Sequence, residues 1–122
     1  MFIEIDFNSE EAIYVQLRNQ IILGIATDQL KEGESLPSVR SLADDIGINM
    51  HTVNKAYATL KQDGFLKVDR RRGAVVAVDP DKARAIAGMH DYLRPVIISG
   101  MVKGISREEA MQIVSDIYDE FS

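Results

Sequence analysis

Leu36-Pro37-Ser38-Val39-Arg40-Ser41-Leu42-Ala43-Asp44-Asp45-Ile46-Gly47-Ile48-Asn49-Met50-His51-Thr52-Val53-Asn54-Lys55-Ala56-Tyr57 is the stretch that decides the fold. Pro37 holds Leu36 in an extended conformation, and Ser38 is then placed to cap a helix on which Val39, Leu42, Ala43 and Ile46 face inward. Gly47 stops that helix, because glycine takes the left-handed backbone of a tight turn without steric cost. Asn49 offers a second cap. Val53, Ala56, Tyr57 and Leu60 then recur at the spacing of one buried helical face. The pattern reads as helix, turn, helix, with the second helix turning polar side chains outward. Asp69-Arg70-Arg71-Arg72-Gly73 follows shortly after. A helix-turn-helix backed by a basic loop is suited to placing side chains in a DNA groove.

Working outward, Phe65-Leu66-Lys67-Val68 and Ala74-Val75-Val76-Ala77-Val78 are strand-forming runs, and the basic loop between them makes a hairpin. Gly64 separates the hairpin from the preceding helix. Upstream, Tyr14, Leu17, Ile21 and Ile25 mark one face of a first helix expected from about Glu11 to Gln29, with capping residues offered by Asn8-Ser9-Glu10-Glu11. Gly24 interrupts it, and close approach of another helix is the expected reason. Ile3, Ile5 and Phe7 alternate with acidic residues, as in a short edge strand or a docked arm. Lys31-Glu32-Gly33-Glu34 reads as a turn. Beyond Asp79-Pro80-Asp81 the chain is helical again. Ile86, Met89, Leu93 and Ile97 share one face, and Pro95 is expected to kink or shorten that helix. Gly104 breaks the chain before Ser106-Arg107-Glu108-Glu109, which has capping-box form. Ala110, Ile113, Val114, Ile117 and Phe121 give the last helix its apolar side.

The chain has 122 residues and a formal net charge of -5, which by itself argues against a polyanionic partner. The distribution reverses that reading. Residues 49–73 carry Lys55, Lys61, Lys67, Arg70, Arg71 and Arg72 against only Asp63 and Asp69, a local +4 that leaves -9 on the remainder. Screening confines phosphate attraction to roughly 8–10 Å, so the local patch governs binding. With no cysteine in the chain, disulfides and thiolate metal sites are excluded. A cytoplasmic location is the expectation. No apolar run approaches the ~20 residues of a membrane helix, and Met1-Phe2-Ile3-Glu4-Ile5-Asp6 does not resemble a secretory leader. Enzyme signatures are also missing. The two histidines, His51 and His90, stand apart, and there is no phosphate-binding glycine loop, nucleophile elbow or metal-spaced cluster. Neither a cofactor nor a metal is expected.

The residues at the centre of this reading resemble a known family. Leu36-Pro37-Ser38-x-Arg40-x-Leu42-Ala43 resembles the second-helix signature of the GntR family of bacterial winged-helix repressors. Asn49-x-x-Thr52-Val53-x-Lys55-Ala56-Tyr57-x-x-Leu60, with Gly64, resembles the recognition-helix signature of its short YtrA-like branch. Ile13-Tyr14-x-Gln16-Leu17 is similar to the family's first-helix motif, with Ala12 where proline is usual. The resemblance spans about residues 10–78 and implies a mostly α fold with a small β-hairpin wing, followed by a helical tail for dimerisation. It implies DNA contacts from Ser38 and Arg40, from Asn49, Met50, His51, Thr52, Asn54 and Lys55 in the recognition helix, and from Arg70, Arg71, Arg72 and Gly73 at the wing tip. Many longer members have arginines at the positions of Met50 and Asn54, so their operator sequence does not transfer to this chain.

The chemistry of these side chains agrees. Arg40 offers two parallel donors to a phosphate or to guanine, with a surface ion pair to Asp44 as its ordinary alternative. Asn54 suits adenine and Lys55 suits phosphate. Arginines at a wing tip favour a narrow minor groove. The expected organisation is a winged helix-turn-helix domain over residues 1–78, with an arm at 1–9, and a dimerisation region over 79–122. Ile86, Met89, Leu93, Ile97, Ile113, Ile117 and Phe121 would form the dimer contact, because two further amphipathic helices carry more apolar surface than a monomer hides. The expected function is sequence-specific regulation of transcription, by repression of the protein's own transporter-type operon, as a homodimer on palindromic double-stranded DNA. A small-molecule effector at the dimer interface is compatible with this. The alternative is a winged helix serving as a protein-interaction or assembly module, its basic loop incidental.

Overall fold

The computed structural model describes residues 3–122. Its elements are α1 (Ile13–Ala26), α2 (Val39–Ile46), α3 (Met50–Gln62), β1 (Leu66–Asp69), β2 (Gly73–Val76), α4 (Lys82–Val102) and α5 (Arg107–Glu120). They divide into two compact units, the first ending at Asp79 and the second covering Pro80–Ser122.

In the first unit α3 is the central element, packed against α1, α2 and β1. Leu17 and Ile21 of α1, Leu42 and Ala43 of α2, and Val53, Ala56, Tyr57 and Leu60 of α3 are buried together with Leu66 and Val76 of the hairpin. Burying an aliphatic side chain of this kind contributes roughly 1.5–3 kcal/mol. The local signals act as the sequence suggests. Ser38 Oγ accepts from Ser41 N at 3.0 Å and caps α2, and Asn49 Oδ1 accepts from His51 N at 2.7 Å and caps α3. Between them Gly47 sits at φ 77°, in the left-handed region. The hairpin is antiparallel, with Leu66 opposite Val76 and Asp69 opposite Gly73. The loop after α1 adds a third rung that the sequence did not suggest. Gly33 N donates to Val76 O, Val76 N to Glu34 O, and Leu36 N to Ala74 O, with Ser35 bridging Val75.

Three expectations for this unit need correction. Helix α1 begins at Ile13, not Glu11; Ala12 is its N-cap and supplies no side-chain hydrogen bond. It ends at Ala26, well short of Gln29, because Thr27 closes it through Oγ1 to Leu23 O and Asp28 turns left-handed at φ 62°. The neighbour of Gly24 is not a helix but the Leu30 side chain, folded back from the loop. A Cβ on Gly24 would lie 3.1 Å from Leu30 Cδ1. Of the two expectations for residues 3–7, an edge strand or a docked arm, the arm is the one observed, docked on α1. Phe7 is exposed, and only Ile3 and Ile5 pack against the core.

The second unit is a helical pair. Helix α4 runs through Pro95 to Val102, so the proline does not shorten it. Its ring removes one backbone donor and leaves the Asp91 carbonyl without a helical partner. Gly104, at φ 83°, turns the chain, and Ile105 packs back on Gly100. The capping box forms in full: Ser106 Oγ accepts from Glu109 N, and Glu109 Oε1 accepts from Ser106 N. These bonds to Ser106 hold the Glu109 carboxyl below its ordinary pKa. No residue of α4 or α5 is buried. Among the described residues, no helix is long and apolar enough to cross a membrane.

Candidate nucleic-acid interface

The first turns of α3 determine what the molecule can present. Val53, Ala56, Tyr57 and Leu60 commit one face to the core, which turns Met50, His51, Asn54 and Lys55 outward. Thr52 is half-buried at the edge of that face. Met50 remains 43% exposed, an apolar side chain on the outer surface beside polar neighbours, where a thymine methyl is a fitting contact. Ser38, Arg40 and Asn49 are exposed as well. Arg40 is free of the ion pair with Asp44; the acid–base pairs within 4 Å among the described residues are Arg18–Asp63 and His90–Asp91.

Two clefts show which of these residues are brought together. Val39, Asn49, Met50, His51 and Asn54 line a shallow depression at the start of α3. A second cleft runs between the start of α2, the outer side of α3 and the hairpin, with Ser38, Asn54, Lys61, Val68 and Gly73 on its walls. Thus Asn54 stands on both, linking the recognition helix to the wing. The Tyr57 hydroxyl donates to Pro37 O at 2.8 Å and ties α3 to the residue just ahead of the α2 cap. Burial pushes its phenol up to about 12.

Two side chains have partners that sequence reasoning missed. Lys55 Nζ lies 4.0 Å from the centre of the Tyr14 ring, a cation–π contact that stations the ammonium over α1. At the wing tip, Asp69 Oδ1 accepts from the backbone N–H of Arg71 and of Arg72, closing the turn. The Arg72 guanidinium donates to the Gly33 carbonyl, while Arg70, Arg71 and Gly73 are exposed. Neither partnership has a local signal, since Tyr14 and Gly33 lie about forty residues upstream of the side chains they meet. Ile86, Met89, Leu93, Ile97, Ile113, Ile117 and Phe121 belong to the second unit, where all seven side chains are exposed.

A helix-turn-helix with an open polar face on its second helix, flanked by a hairpin with a basic tip, defines a winged-helix DNA-binding protein. Residues 9–76 match the family model described as bacterial regulatory proteins, gntR family. The chain belongs to that family; it is a DNA-binding transcription regulator and not an enzyme. It is similar to the HTH-type transcriptional repressor YtrA of Bacillus subtilis, 31% identical over 119 residues that cover 94% of this chain and 91% of that one. Among solved structures, a protein from Listeria monocytogenes EGD-e described as a transcriptional antiterminator superposes with a TM-score of 0.88 at 26% identity, covering 99% of this chain and 92% of that chain. YtrA from Sulfolobus acidocaldarius, a GntR-family transcription factor, gives a TM-score of 0.60 at 37% identity and covers 97% of both chains. The likeness includes the helical tail, and the chain is YtrA-like.

Proposed function

We propose that this protein is a homodimeric, sequence-specific repressor that occupies a palindromic operator and controls its own transporter-type operon. The observation that carries the reading is the open face of α3, where Asn49 caps the helix and Met50, His51, Asn54 and Lys55 stand exposed beside the wing. In this reading Met50, His51, Thr52 and Asn54 meet base edges in the major groove, while Ser38, Asn49 and Lys55 hold phosphates. Arg40 contacts phosphate or guanine, and Arg70, Arg71, Arg72 and Gly73 approach the minor groove. Residues 1–78 form the DNA-binding part and residues 79–122 the dimerisation part. The apolar faces of α4 and α5 support self-association, and a twofold dimer matches half-sites about one helical turn, or a multiple, apart. Repression is supported by the likeness to a protein described as a repressor.

The test is fluorescence anisotropy of the purified protein on a duplex from its own upstream region, with a scrambled duplex and an Arg40→Ala variant in parallel. Tight binding to the native duplex alone, falling by about 1–3 kcal/mol in the variant, is the expected result. Affinity should also fall log-linearly with salt, by roughly 0.9 in slope for each phosphate neutralised. Absence of binding to either duplex at low salt would overturn the DNA reading in favour of a protein-interaction module.

A further inference from the structure

The arm at residues 3–6 is held in an unusual way. Gln16 is the one buried polar side chain among the described residues, 8% exposed. Its Oε1 accepts from Asp6 N at 2.9 Å, and its Nε2 donates to Asp6 O and Glu11 O, both at 3.0 Å. One helical turn later Gln20 repeats the arrangement. Its Oε1 accepts from Glu4 N at 2.8 Å, and its Nε2 donates to Glu4 O. Each amide therefore gives the arm what a neighbouring β-strand would give, an acceptor and a donor for the same residue. Glutamines four apart on a helix stack along one face, and they engage alternate arm residues, 4 and 6. That register sends the alternate residues Ile3 and Ile5 to the core side, where both are half-buried.

The far end of the arm reaches α2. Ile3 packs against the core cluster that includes Leu42, and it lines one cleft with Leu30, Leu42, Asp45 and Ile46, so it faces the last turn of that helix. The body of α2 packs on α3, and α1 packs on α3 as well. The arm thus lies on the remaining side of the triangle, its backbone hydrogen-bonded to the Gln16 and Gln20 side chains of α1 and its Ile3 packed on the core that α2 shares. Helix α2 is short, eight residues, and two of its side chains are buried, Leu42 and Ala43. A helix of that length is marginal without tertiary support, and it carries Ser38 and Arg40.

We propose that Gln16 and Gln20 are positioning residues for DNA binding: by clasping the arm they hold α2, and with it Arg40, in place against the recognition helix. The DNA part of this inference rests on the function proposed above; the structural part does not.

The test uses the full chain with Gln16→Ala, Gln20→Ala and Ile3→Ala, each followed by amide hydrogen exchange. Removing the three hydrogen bonds of Gln16, the two of Gln20 or the apolar side chain of Ile3 should raise exchange at the α2 amides of Leu42 to Gly47 roughly tenfold, while the α3 amides of Val53 to Leu60 keep the protection of the parent. Gln20 is only partly buried, so Gln20→Ala decides the matter if Gln16→Ala fails to fold. Unchanged exchange in α2, or an equal rise in α2 and α3, would overturn the inference. On any duplex the parent binds, the variants should lose affinity severalfold with the salt slope unchanged, because no phosphate contact is removed. A slope lowered by about one would overturn the positioning role. If the parent binds no duplex, the functional reading fails alone, and the exchange data still decide whether the arm braces α2.

Discussion

Tyr57 shows how one residue serves both packing and the site. Its ring fills the core between α2 and α3, and its hydroxyl reaches Pro37 O, next to the Ser38 cap. The phenol titrates near 12, against 10.0 when unperturbed, because burial disfavours the phenolate. A folded pKa raised above the unfolded one contributes stability that is fully present below about pH 10 and is lost as pH rises through about 12. The shift corresponds to roughly 2–3 kcal/mol. Urea melts should therefore show the parent losing stability steeply from pH 10 to 12, and Tyr57→Phe losing less over the same interval. At pH 8 the variant should be weaker by about 1 kcal/mol, the usual net worth of the missing hydrogen bond. Equal slopes for the two proteins above pH 10 would contradict this assignment. The same residue marks the limit of what sequence could show. Its place on the buried stripe of α3 is legible from spacing alone, since the apolar positions 53, 56, 57 and 60 admit one helical phase. Its hydrogen bond to residue 37 is not, and the same holds for Lys55 over Tyr14 and for Arg72 on Gly33. Those partners depend on how separate elements cross, which no local pattern encodes.

At the scale of elements, the turns are where the sequence was most explicit, and they differ in what they tolerate. Gly47 and Gly64 both have positive φ, 77° and 82°. A Cβ on Gly47 would meet nothing within 4 Å, whereas one on Gly64 would lie 2.9 Å from Asp79 Cβ. Gly64 O also accepts from Asp79 N, and Phe65 O accepts from Ala77 N, so this corner fastens the base of the hairpin to the end of α3. Gly47→Ala should thus cost only the conformational penalty, about 1–2 kcal/mol. Gly64→Ala should cost more, because either the corner or Asp79 must also move. Thermal unfolding of the two variants measures the order directly, and a larger loss for Gly47→Ala would contradict it. Cap, glycine, cap and stripe are short-range chemistry, which is why α2, α3 and the hairpin were readable in advance. The ends of α1 were not. Glu10 and Glu11 look like first-turn residues, yet Gln16 spends its amide on Glu11 O and the docked arm, and the helix starts at Ile13. Of the two effects expected of Pro95, a kink or a shortening, the shortening does not occur. A proline costs about 3 kcal/mol in a helix interior, but its flanks, residues 82–94 and 96–102, are long enough to remain helical on both sides.

Across the whole molecule the two units differ in how they bury apolar surface. The first has a filled core in which Leu17, Ile21, Val53, Ala56 and Leu60 are fully enclosed. In the second, Ile86, Met89, Leu93, Ile97, Ile113, Ile117 and Phe121 all remain exposed, Leu93 least at 36%. These residues recur at helical spacing on α4 and α5, and on α4 Ile98 and Val102 add exposed apolar side chains outside that stripe. Apolar surface of this extent is typical of interfaces, and a second copy of the same two helices is its proposed cover. Leu93→Asp together with Ile113→Asp should therefore yield a monomer by analytical ultracentrifugation. The first unit should keep its fold, because neither residue belongs to its core. Such a monomer should still bind a single half-site. It should lose at least as much affinity for the paired site as the parent loses when one half-site is scrambled, because in both cases the second half-site brings no gain in effective concentration. If the parent sediments as a monomer at micromolar concentration, the twofold reading of the operator fails with it. A double variant that remains dimeric would place the interface on surfaces other than these two faces.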